Sequence, residues 1–179
     1  LIIDGVAADP EIKGCVITSG KDSFSGGADL SMLQDLGRSH ALLKAERGDA
    51  EATRVFFEQS RRLSQLYRAL ETCGKPFAVA IHGVCLGGAF ELALSCHYRV
   101  LSDADSTRVG LPEIKVGLFP GAGGSQRLPR LMPTPDALQL MARGEQLRPA
   151  AAKKLNIAGA VVPREQIVET AKAWIRQGG

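Results

Sequence analysis

FAVAIHGVCLGGAFE, residues 77–91, is the stretch on which the reading of this chain turns. Its first five residues are uniformly apolar and include the β-branched Val79 and Ile81, the composition of a strand covered on both faces. The pair Gly87-Gly88 follows, and GAFELALSC (88–96) suits a buried helix. Glycines between a buried strand and a helix N-terminus expose backbone N–H groups that lack intrahelical acceptors, at the positive end of the helix dipole. An oxygen can be bound there. Gly88 carries no side chain to obstruct it, and the lone charge of the stretch, Glu91, sits three residues on in the same first turn. Alternatively the glycines serve only tight helix–strand packing and Glu91 only offsets the dipole; the segment by itself leaves both readings open.

Working outward, strands alternate with helices. GCVITS (14–19) reads as a short buried strand and SGKDSFSGG as a loop, and Asp29 caps a short helix that ends near Gly37. Phe56, Leu63, Leu66, Tyr67 and Leu70 recur at helical spacing and predict a long amphipathic helix from Thr53 to about Thr72, stopped by Gly74-Lys75-Pro76. YRVLS (98–102), RVGLPE (108–113) and AGAVVP (158–163) read as strands, with helices around 125–130, 134–143, 148–155 and 164–177. The class is α/β with a largely buried sheet. The opening LIIDGVAADPEIKG reads as a helical-looking scrap with no element of its own, and the absence of an initiator Met suggests one domain over 1–179, truncated at both ends.

Composition narrows the function classes. The formal charge is +3, with arginines interleaved among Asp and Glu, so no electrostatic footprint for nucleic acid stands out. No run approaches the roughly 18 consecutive apolar residues of a membrane span. Cys15, Cys73, Cys85 and Cys96 are scattered without a C-x-x-C motif or a His at ligand spacing, which suggests neither a disulfide framework nor a metal site and fits a reducing compartment.

Two further glycine clusters carry chemistry. KDSFSGGADL (21–30) has the same strand–glycine–helix form, so the N–H of Ala28 can supply a second donor, unless the segment is only a loop. Two N–H groups converging on one carbonyl oxygen make an oxyanion hole, and losing one donor typically costs about 2.7–4 kcal/mol of barrier lowering. GLPEIKVGLFPGAGGSQRLPRL (110–131) brings Glu113 into an apolar stretch, which raises a carboxyl pKa and suits proton transfer; the alternative is a solvated turn residue. Its GAGGS lacks both the G-K-[ST] of a P-loop and the phase of a dinucleotide fingerprint. His82 reads as structural, and Cys85 has no His partner to make it a nucleophile.

Taken together, FSGGAD, AIHGVCLGGAFELA and GLPEIKVGLFPGAGGSQRLPRL resemble the enoyl-CoA hydratase/isomerase (crotonase) family, in order and near-spacing, over most of Cys15 to Pro163. The wording is most like the hydratase module of multifunctional fatty-acid oxidation proteins. The resemblance implies a ββα superhelix with C-terminal helices, here partly missing, and assembly as a homotrimer or hexamer or as a module of a larger chain. It implies that the Ala28 and Gly88 N–H groups polarise a thioester carbonyl and that Glu91 and Glu113 are the catalytic carboxylates. Water would add to a trans-2-enoyl-CoA to give a 3-hydroxyacyl-CoA in β-oxidation, with no permanently bound cofactor and coenzyme A only as part of the substrate. Lys21, Ser25 and Gly27, before Ala28, are the candidates for the CoA side, with a solvated loop as the alternative for Lys21 and Ser25. Ala89 stands where the family often has a third glycine, and the Glu91–Glu113 segment runs a residue or two longer than usual. An isomerase or another CoA-thioester enzyme of the fold is the alternative. So, from a different class, is an RNA-binding homologue, since one crotonase relative binds AU-rich RNA. The setting implied is a bacterial cytoplasm or, in a eukaryote, the mitochondrial matrix.

Overall fold

A computed structural model describes residues 2–179. The opening segment does form an element, α1 (Ile2–Ala8), which buries Val6; the reading that rested on Leu1 lies outside the described residues. After it the chain repeats one unit: a strand in a first sheet, a short extended piece in a second, then a helix. β1 (Cys15–Ile17) is followed by Ser25, which bridges to the second sheet, and then by α2 (Leu30–Arg47) and α3 (Asp49–Thr72). β2 (Phe77–Ile81), β3 (Val84–Leu86) and α4 (Gly88–Ser95) make the next unit. β4 (Tyr98–Ser102), β5 (Arg108–Gly110), a 3-10 turn at Glu113–Val116 and α5 (Gly124–Arg127) make the third. α6 (Thr134–Arg143), β6 (Gln146–Leu147), α7 (Pro149–Lys154), β7 (Ala160–Val162) and α8 (Ile167–Arg176) complete the described chain.

The first sheet is parallel, in the order β1-β2-β4-β7, and the second runs β3-β5-β6, with β3 parallel and β6 antiparallel to β5. β2 is buried throughout because both faces are covered: Phe77, Val79 and Ile81 enter the main core, while Ala78 and Ala80 face Ile167 and Ala171 of α8. Tyr98 and Trp174 stack with centroids 4.7 Å apart and seat α8 on β4. Arg99, buried without an acidic partner among the described residues, donates to the carbonyls of Ala93, Cys96 and Ile157 and so ties the end of α4 to the segment before β7.

Several boundaries differ from the expectations. α2 runs through Gly37 to Arg47, because Gly37 is open to solvent and α2 packs along α3; its predicted cap is present, the Asp29 carboxylate accepting from the Ser31 N–H at 2.8 Å. α3 begins at Asp49 rather than Thr53, since Gly48, at φ 86°, breaks the helix and Asp49 and Glu51 suit the new N-terminus. Within HGVCLGG lies a strand, β3, set between Gly83 at φ 62° and Gly87 at φ 56°; three residues are too few to show a period. The strand read at 108–113 ends at Gly110, and Pro112 turns the chain so that Glu113 opens the 3-10 segment.

Candidate active site

The register of the second sheet brings the glycine clusters together. Ser25 pairs with Cys85, and Cys85 with Val109. Three residues beyond each lie Ala28, Gly88 and Pro112, with Glu113 next, so three chain exits stand side by side at one end of the sheet. Backbone bonds lock the first two: Ser25 N–H donates to Val84 O at 2.8 Å and Leu86 N–H to Ser25 O at 3.1 Å. Gly27 sits at φ 104°, where a Cβ would lie 2.8 Å from Leu86 O and 3.6 Å from Gly88 N, so only glycine permits this approach. The N–H groups of Ala28 and Gly88 donate to no acceptor among the described residues. A Cβ on Gly88 would meet nothing within 4 Å. From the other side, the Tyr67 hydroxyl of α3 donates to Gly88 O at 2.8 Å and pins the start of α4; burial, then the Glu91 charge, pushes Tyr67 up to about 12, so it remains a donor.

Glu91 is buried, and its Oε1 accepts from Ala122 N–H at 2.8 Å and Gly124 N–H at 2.7 Å. Burial pushes its carboxyl above the ordinary range, against the pull of those two donors and of Arg127. Gly124 must be small, since a Cβ there would lie 3.0 Å from Glu91 Oε1. Glu113 is held differently. The residue is half-buried, but both carboxylate oxygens are sequestered and accept no hydrogen bond from the described residues. Its Oε1 lies 3.6 Å from the position a Cβ would take on Gly87, which places the carboxylate over the glycine pair. Burial raises its pKa, its own backbone N–H pulls weakly the other way, and the neighbouring Glu91 charge adds to the rise. One carboxylate with fixed donors and one without, beside two free N–H groups, can polarise a carbonyl and move protons next to it.

The other predicted positions sort clearly. Ser25 sets the register, and its Oγ accepts the Gly27 N–H at 3.2 Å. Lys21 is exposed, its N–H donating to Ser19 Oγ at 3.2 Å and its carbonyl accepting from His82 Nε2 at 2.8 Å, which gives His82 a structural place. Cys85 is fully buried, which raises its thiol pKa and keeps it inert. No group of three or more His, Cys, Asp or Glu among the described residues is placed to hold a metal ion. The sequence reading missed Tyr67, taken only as part of an apolar stripe, and the Ala122–Gly124 donors. Arg54, Arg61 and Arg68 along α3 each pair with a carboxylate three residues away, Glu51, Glu58 and Glu71, so that helix does not present an unbroken basic face.

The sequence profile of the enoyl-CoA hydratase/isomerase family matches residues 3–178. The chain is 44% identical over 171 residues to the fatty acid oxidation complex subunit alpha of Shewanella amazonensis, covering 95% of this chain and 22% of that protein. It is 43% identical over 182 residues to the protein of the same name from Shewanella frigidimarina, covering 99% and 23%. The chain thus spans less than a quarter of these relatives. An enoyl-CoA hydratase from Bacillus anthracis superposes with a TM-score of 0.79 at 27% identity, over 98% of this chain and 62% of the other. One from Polaromonas gives 0.81 at 26% identity, over 98% and 63%. The layered strand–strand–helix coil is the crotonase fold of these hydratases.

Proposed function

This chain belongs to the enoyl-CoA hydratase/isomerase family, and we propose that it adds water across the 2,3 double bond of a trans-2-enoyl-CoA in fatty-acid β-oxidation. The observation that carries this is the placement of two differently held carboxylates beside the junction of Gly27-Ala28 with Gly87-Gly88. The Ala28 and Gly88 N–H groups would bind the thioester oxygen and stabilise the enolate-like charge that develops as C3 is attacked. Glu91, whose pKa is raised by burial while two N–H donors and Arg127 pull toward the ionised form, takes the proton of the attacking water as the C3–O bond forms. Glu113, whose oxygens accept no hydrogen bond from another described residue and whose pKa burial raises, favours the protonated form and delivers its proton to C2. The product is a 3-hydroxyacyl-CoA, no resident cofactor is needed, and coenzyme A enters with the substrate; Lys21, Ser25 and Gly27 lie on the loop that would face it.

The presence of both carboxylates favours hydration over a double-bond shift, which one acid/base group can perform. The paired arginines of α3 weigh against RNA as the ligand. The relatives' bacterial sources favour a cytoplasmic setting, as one module of a longer chain or as a trimer or hexamer. The test is loss of enoyl-thioester absorbance with crotonyl-CoA, with the product identified by mass, alongside a 3-enoyl-CoA and RNA retention on filters at physiological salt. A mass gain of one water supports the proposal; turnover of the 3-enoyl-CoA alone, or sub-micromolar sequence-selective RNA binding without turnover, contradicts it.

A further inference from the structure

Behind Glu91, away from the glycine junction, lies a connected brace. Arg127 of α5 forks onto Glu71 of α3, Nε to Oε1 and Nη2 to Oε2, both at 3.3 Å. Its Nη1 donates to Ala122 O at 3.1 Å. Ala122 is therefore clamped from both sides, its carbonyl by Arg127 and its N–H by Glu91 Oε1 at 2.8 Å. Gly123, at φ 106°, makes room for this, because a Cβ there would collide with the guanidinium. One turn before Glu71 on α3 stands Tyr67, which holds Gly88 O. A single face of α3 thus supports both the start of α4 and the loop that grips Glu91. The Arg127 side chain is only 12% exposed, so its contacts are made largely out of water. Beside the brace is a cleft of about 260 Å³ lined in part by Ser64, Arg68, Gln126 and Arg130.

We propose that Arg127, seated by Glu71, is a positioning residue that aims the Glu91 carboxylate by fixing the Ala122–Gly124 loop. This rests on the role given to Glu91 above. Arg127 reaches Glu91 through that loop and through its charge, which favours the ionised carboxylate. The other groups facing Glu91 are Tyr67 of α3, a neutral donor, and Glu113 of the 3-10 turn, which the Glu91 charge pushes toward its neutral form. Glu71 is suited to its part: partial burial works against ionisation, but hydrogen bonds from Arg68 and Arg127 hold its pKa below the ordinary range.

The test compares Arg127→Met, Arg127→Lys and Glu71→Gln with Glu91→Gln, following crotonyl-CoA hydration across pH on the folded fraction of each. Because a misplacement of about 1 Å can cost about 100-fold, Arg127→Met is expected to lower kcat by about that factor while changing KM little. Its acid limb, which reports a deprotonated Glu91, should move to higher pH. Arg127→Lys keeps the charge and should restore the limb but only part of kcat, and Glu71→Gln should lower kcat with Arg127 intact. Carboxyl-carbon NMR titration of Glu91, assigned with Glu91→Gln, reads the Arg127→Met shift without substrate. If Arg127→Met does not fold, Arg127→Lys and Glu71→Gln decide through their kcat losses. Wild-type kcat and an unmoved Glu91 titration in these variants, with Glu91→Gln inactive, overturns the brace alone. Full activity in Glu91→Gln instead overturns the function on which it rests.

Discussion

Replacing Glu113 by Gln should move stability and activity in opposite directions. Both Glu113 oxygens are buried without a donor among the described residues, and the Glu91 charge stands close by. The folded-state pKa is raised, so folding favours the protonated acid; that contribution is complete below the unfolded value of about 4.3 and is lost as pH climbs through the folded one. At pH 8 the ionised group costs stability. A glutamine amide would be as unpartnered as the carboxylate, so the gain is only the extra cost of the charge, which for a half-buried group we take as about 1 kcal/mol. For a chain of this size that is a melting-temperature rise of about 2–4 °C on removing the charge. Calorimetry at pH 8 should show Glu113→Gln melting higher than wild type, and at pH 4 the gap should close. Crotonyl-CoA hydration should meanwhile fall by about 10²- to 10⁴-fold, the usual loss for one general acid. A lower melting temperature at pH 8 would mean that the carboxylate is partnered, and the reasoning would fail.

Three other substitutions separate folding from chemistry. Gly88→Ala has open space for its Cβ, so it should fold as well as wild type yet lose most activity by crowding the site; unaltered kcat/KM would place the thioester elsewhere. Gly27→Ala must fit a Cβ 2.8 Å from Leu86 O at φ 104°, so urea unfolding should show a loss of about 1–3 kcal/mol together with lost activity. Arg99→Met takes the guanidinium donor from the buried carbonyls of Cys96 and Ile157, while Ala93 O keeps the Cys96 N–H, and should cost about 2 kcal/mol by the same assay, while kcat of the folded fraction stays near wild type.

The site was legible wherever it depends on glycines before a helix. Gly27-Ala28 and Gly87-Gly88 stand out in sequence because main-chain N–H groups at a helix start need no particular side chain, only the absence of one. Glu91 stands out as a lone charge in apolar surroundings, and Glu113 as a carboxylate after a proline in a largely apolar stretch. The partners of Glu91 were hidden for the converse reason: Ala122 and Gly124 act through their N–H groups, and GAGGS shows only what it does not bind. Tyr67 looks like any apolar residue on an amphipathic helix until α3 is laid against α4, and the Arg127–Glu71 fork joins residues remote in sequence. The β3 strand escaped because a three-residue strand between glycines has no periodicity to read, and α2 because a solvent-facing Gly37 costs a helix only about 1 kcal/mol, which packing on α3 offsets.

The central claim is that two backbone N–H groups, Ala28 and Gly88, converge on one thioester oxygen. Isotope-edited infrared spectroscopy of a carbonyl-labelled, non-reacting acyl-CoA bound to the protein measures this at the bond concerned. The geometry predicts a C=O stretch displaced to lower frequency on binding, retained in Glu91→Gln and Glu113→Gln, which keep both N–H donors. A bound thioester whose carbonyl absorbs at its free-solution frequency would contradict it.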